Sequence, residues 1–249
     1  MPFFKRSDRL NLGKDKKLTI TLGFVLGFLI PAIADRLGKV LPADWGEGIL
    51  CLFHKARFPK SKSKKKKENL KRKWKKLIFI SLLWGIYLAG GFALTDFAFP
   101  TSATFYVKVF LFFLGILTVV DDKYFLLPDV LTVPLLILGF CFAVWGRSGI
   151  TPSESLIGAI YGYFVPALSV LVMTPFKKNT FGGGDVKMLA ALGAWVGLIP
   201  LVILIGISVV SFCLWAIYTR QKSNAYGPHL ALAGVIVLFG QALGWMTIR

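Results

Sequence analysis

VKMLAALGAWVGLIPLVILIGISVVSFCLWAIY, residues 186–218, is the stretch on which the architecture turns. Read as one helix it would extend roughly 50 Å, well past the ~30 Å hydrocarbon core of a bilayer. Gly197 and Pro200 supply a break, since glycine frees the backbone and proline lacks the N–H that a helix interior needs. Divided there, the stretch becomes two short spans near 186–197 and 200–219. The division also fixes the side of the membrane on which the following loop falls.

The rest of the chain points to the same solvent. Of 249 residues 55% are hydrophobic and 17% charged, with a mean hydropathy of +0.67, too apolar for an ordinary soluble domain. Apolar runs of spanning length lie at 18–35, 77–99, 103–120, 130–146, 155–174 and 228–246. With the divided stretch they predict an all-α, polytopic membrane bundle of about eight transmembrane helices, a single domain over 1–249. The first 17 residues are polar, and the run after them lacks a small-residue cleavage site, which predicts a retained first span rather than a signal peptide. Gly158 with Gly162, and Gly193 with Gly197, form GxxxG pairs suited to close helix packing in lipid. Cys51, Cys141 and Cys213 lie far apart and suggest no disulfide framework.

Charge sets the orientation. The segment from Cys51 to Lys76 holds thirteen Lys and Arg against one acid, Glu68, so a polybasic loop at 39–76 is expected on the cytoplasmic side, near anionic lipid headgroups. Alternation then places three further loops inside: 121–129 (DDKYFLLPD), 175–187 (PFKKNTFGGGDVK) and 220–227 (RQKSNAYG). The N-terminal tail, with six Lys and Arg, falls outside in this scheme, and the denser loop decides against it. The net charge of +18 belongs mostly to that loop. Without a recognition fold, nucleic acid is not an expected partner.

Only twelve acids occur, yet Asp121, Asp122 and Asp129 crowd one inner loop, and Asp185 follows Gly182, Gly183 and Gly184 at another. Singly, each reads as an interfacial charge, and Asp129 after Pro128 suits the positive end of a helix. As a pair in a partly dry site, two carboxylates cannot both ionise easily, so one keeps a proton while the other stays charged. That state lets the charged member take a proton from water as the protonated member donates to a developing oxyanion. Three glycines would let a substrate strand or the other aspartate approach. Lys187 reads as an interfacial lysine that would lower the pKa of Asp185 if it points inward. His54 and His229 are far apart, and no HExxH or GxSxG pattern occurs, so neither metal nor cofactor is expected.

At these residues the sequence resembles the bacterial type IV prepilin peptidases, membrane GxGD aspartyl peptidases. DDKYFLLPDVLTVPLL (121–136) matches their aspartate eight residues before the end of an LPD triplet, and FGGGDVKMLAALGAW (181–195) their GxGD segment. GFLIPAIADRL (27–37) and YGPHLALAG (226–234) are similar to their first-span signature and late loop. The resemblance implies eight spans and Asp121 and Asp185 as catalytic residues. Gly182, Gly183, Gly184, Asp122, Asp129 and Lys187 would then shape the site. It implies prepilin or pseudopilin substrates losing a basic leader at the cytoplasmic face of the bacterial inner membrane. Bifunctional members carry two CxxC pairs in the first loop; here only Cys51 stands, too few ligands for structural zinc, so N-methylation of the product is not expected. The rival readings are a non-enzymatic transporter or assembly subunit of the same fold, and a GxGD protease acting on other membrane helices.

Overall fold

The structure, a computed structural model, describes residues 6–40, 64–146, 148–173, 182–220 and 225–244. Eight helices and no strand occur among them: α1 (Arg6–Val40), α2 (Lys64–Ala98), α3 (Thr101–Tyr124), α4 (Asp129–Val144), α5 (Pro152–Met173), α6 (Gly183–Val196), α7 (Leu198–Thr219) and α8 (Gly227–Ala242). By length and composition Lys16–Gly38, Lys76–Ala98, Thr101–Tyr124 and Leu198–Thr219 can each cross a membrane. Asp129–Val144 and Gly227–Ala242 are apolar but shorter. Large apolar side chains such as Phe97, Leu168, Leu171, Leu214 and Ile217 stand exposed, a surface that lipid, not water, accommodates. The protein is a helical membrane bundle.

The break in 186–218 falls where glycine permits it. α6 ends at Val196, Gly197 takes φ +82, and α7 begins at Leu198. Pro200 sits in the first turn of α7, where its missing N–H would have had no intrahelical partner. The Gln241 amide donates to the Val196 carbonyl at 3.0 Å, supplying a partner to a backbone group that the break releases.

α6 is the hub. Its residues from Met188 to Val196 are all buried, as expected of a short helix that is apolar on every side, and it packs on α4, α5, α7 and α8. Trp195 lies in the core against Phe110 and Phe142, and its indole N–H donates to the Leu135 carbonyl at 2.8 Å. The two GxxxG pairs meet each other: a Cβ on Gly158 or on Gly193 would overlap the other's carbonyl. Between them the buried Ser155 hydroxyl donates to the Ala194 carbonyl at 2.6 Å. α1 lies along α2, and a Cβ on Gly27 would run into the Trp84 carbonyl. Asp35 of α1 pairs with Lys123 of α3 at 2.8 Å.

Two expectations change. Residues 64–76, expected within a loop, form the first turns of α2, and residues 6–17 open α1. Lysine, arginine and glutamate are good helix formers, and extension from a helix already nucleated in the membrane needs no new nucleus. The remainder of the polybasic segment, with Cys51 and His54, lies outside the described residues.

Candidate active site

Asp121 is not in a loop, as the sequence suggested, but on the last turn of α3. Its carbonyl accepts the Phe125 N–H at 2.9 Å, and Phe125 turns left-handed at φ +52, ending the helix one turn later than expected. The side chain is 5% exposed. Its Oδ2 accepts the Gly227 N–H at 2.8 Å, at the start of α8, where free backbone donors attract an anion. A Cβ on Gly227 would stand 2.7 Å from that oxygen, so the contact requires glycine. Asp122, one residue on, is exposed. It lines a cavity of about 620 Å³ among α2, α3, α7 and α8, where Thr118 and Leu114 continue the same wall of α3.

Asp185 also belongs to a helix, in the first turn of α6, with its N–H donating to the Gly182 carbonyl at 3.1 Å. It stands ahead of the apolar stretch, and its carboxyl lies within electrostatic reach of Asp121. Burial pushes it up, the Asp121 charge pushes it further, and a backbone hydrogen bond at Gly182 draws it partly back, leaving it at about 7. The three glycines divide their work. Gly184 presses on the LPD segment, where a Cβ would come 2.8 Å from Leu127 Cβ; Gly182 lies beside the Asp185 carboxylate; and the Cβ position of Gly183 is open.

Asp129 starts α4 after Pro128 as expected, and both its oxygens accept from Lys187 Nζ at 2.7 Å. The lysine is therefore engaged with Asp129, and its charge is not among the influences on Asp185. Tyr226, just ahead of α8, hydrogen-bonds Ser208 at 2.7 Å. Its phenol is raised by burial, lowered by that bond and raised again by the Asp185 charge. The sequence reading missed Gly227 as a donor to Asp121, Leu127 as the surface Gly184 meets, and Tyr226 as a neighbour of Asp185. Only the YG pair of the late loop hinted at them. Among the described residues no cluster of three His, Cys, Asp or Glu side chains could hold a metal ion.

A buried Asp121 and a half-buried Asp185, each sensing the other's charge, are brought from separate helices to one end of a membrane bundle, the arrangement of a candidate aspartyl site. Residues 108–219, which carry both aspartates, match the model of the type IV leader peptidase family. Relatives named prepilin leader peptidase/N-methyltransferase match more widely. The protein from Pectobacterium carotovorum is 38% identical over 148 residues, covering 55% of this chain and 51% of its own. That from Neisseria gonorrhoeae is 36% identical over 142 residues, covering 55% and 49%. That from Burkholderia pseudomallei strain 1026b is 34% identical over 168 residues, covering 64% and 53%. The chain thus spans about half the length of these relatives. No solved structure matches it significantly.

Proposed function

We propose that this chain is a membrane aspartyl endopeptidase that removes the short basic leader from type IV prepilins or pseudopilins at the cytoplasmic face of the bacterial inner membrane, with Asp121 and Asp185 as its catalytic residues. The observation that carries the reading is the Asp185 carboxyl, held at about 7 by burial and by the Asp121 charge. We assign it the shared proton of the pair, since burial and the Asp121 charge both favour its neutral form. Asp121, anchored by the Gly227 N–H, is then the base. It takes a proton from water as the water oxygen bonds to the scissile carbonyl carbon, while Asp185 gives its proton to the carbonyl oxygen. Collapse of the resulting diol breaks the C–N bond, with the amine leaving protonated by Asp121 and the diol proton returning to Asp185.

Placement of the pair at the head of the short apolar helix α6, with Asp121 buried and Asp185 half-buried, supports a substrate cut at the head of its own apolar helix. The family of residues 108–219 and the relatives' names support the leader as what is removed. We assign this chain the peptidase half of those names only, since Cys51 alone stands where a four-cysteine set would be needed. The test is incubation of the purified chain with a prepilin, a strong chelator and S-adenosylmethionine, reading product mass and N-terminal methyl content. Cleavage at the leader junction without methylation is expected. No cleavage at all would overturn the peptidase, dependence on added zinc the metal-free mechanism, and efficient methylation the restriction to one activity.

A further inference from the structure

The two aspartate-bearing segments touch through very little polar structure. α4 packs on both α3 and α6, and where α3 and α6 meet directly, at Phe110 and Trp195, the contact is between aromatic rings. The contact of Gly184 with Leu127 is apolar. One ionic link joins the first turn of α6 to the segment that follows Asp121: Lys187 Nζ, bound to both oxygens of Asp129 at 2.7 Å. Asp129 is the first residue of α4 and closes the LPD triplet; Lys187 is two residues beyond Asp185.

We infer that Asp129 and Lys187 are positioning residues, a clamp that sets the Asp185 turn against the Asp121 segment and keeps the Lys187 ammonium directed away from the aspartate pair. This rests on the peptidase reading for its effect on turnover, though not for its effect on the carboxyl. The geometry has two consequences. A lysine held by both carboxylate oxygens fixes the rotation of the first turn of α6 about its axis, and with it the direction of Asp185. The same hold neutralises a cation that, released two residues from Asp185, would stabilise its ionised form. Among the described residues, Asp121 on α3 and Tyr226 ahead of α8 interact electrostatically with Asp185, and Asp129 on α4 and Lys187 on α6 flank it through their ion pair. Among these described groups, Lys187 is the cation. With the side chains 41% and 36% exposed, solvent screens the pair, so a moderate effect is expected rather than collapse of the bundle.

The experiment compares the full-length wild type with Asp129→Asn, Lys187→Met and the double variant, in two measurements. The first is prepilin cleavage as a function of pH. Each single variant should lose turnover about three- to tenfold, with KM within about twofold. The double should lose no more than the worse single, because the two residues act as one unit. Asp129→Asn alone should move the alkaline limb of kcat to lower pH by half a unit or more, and Lys187→Met should not. The second is the carboxylic C=O band of Asp185, identified by its loss in Asp185→Asn and titrated by difference infrared spectroscopy without substrate. Its midpoint should fall in Asp129→Asn and return in the double variant. If the wild type cleaves nothing, the peptidase reading falls while the infrared titration still decides the clamp. Wild-type turnover in both singles, additive losses in the double, or an unmoved Asp185 midpoint in Asp129→Asn would each overturn it.

Discussion

At the scale of single residues the dyad makes the sharpest demands. On the proposed mechanism Asp121→Asn and Asp185→Asn each remove half of a proton-handling unit, so each should lower prepilin cleavage by at least about a thousandfold while the protein still inserts. Asp122→Asn, on the cavity wall, should be far milder; mass analysis at matched expression separates the three. A second expectation concerns stability. A carboxyl raised to about 7 in the folded protein contributes stability that is fully present below the ordinary value of 3.8 and is lost as pH rises through 7. Melting temperature should therefore fall between pH 5 and pH 8.5 in the wild type and fall less in Asp185→Asn; equal slopes would contradict the raised carboxyl. These two aspartates were legible in the sequence because acids are scarce in so apolar a chain. The donor that holds one of them was not. A backbone N–H from Gly227 reaches Asp121 across 106 positions, and a backbone group leaves no mark on residue type beyond the glycine itself. Nor did sequence show where Lys187 points, since a lysine two residues from an aspartate can turn either way along a helix.

Elements divide into those whose glycines hold the bundle and those whose glycines hold the site. Gly193 meets the backbone of Gly158, and backbone cannot move aside as a side chain can. Gly193→Val should therefore separate α5 from α6 and leave little folded protein in a size-exclusion and melting assay. Gly184 meets Leu127 at the end of α6, where only a turn has to shift. Gly184→Val should keep the circular dichroism of the helical bundle and lose most cleavage, and equal damage to fold and activity would contradict this division. The break at Gly197 was legible because glycine and proline fall together where an unbroken helix would overrun the bilayer. The extensions of α1 and α2 were not, because like charge along a polylysine run argues for a flexible chain while the adjoining apolar helix argues for continuation, and continuation won.

For the whole molecule, the described residues hold four helices of full spanning length and apolar character, with α4, α6 and α8 shorter. Eight crossings, with the aspartates facing the cytoplasm, require the short helices to count as spans. Cysteines placed at Ser63, Asn179 and Ser223 should then resist an impermeant thiol reagent in intact cells and react after lysis. Labelling of position 179 from outside would reverse the site relative to its substrate.

The hydrogen bond from Gly227 to Asp121 has a further consequence for biosynthesis. Ribosomes add roughly 5–20 residues per second, so Asp121 enters the membrane many seconds before its donor is made. Asp185 comes in between, and α8 closes over the pair last. The newborn chain therefore carries both carboxylates through insertion unassembled, and Asp121 gains its donor only as the last described helix docks. A ribosome stalled before residue 227 would display a nearly whole bundle in which the Asp121 carboxylate still lacks its backbone donor.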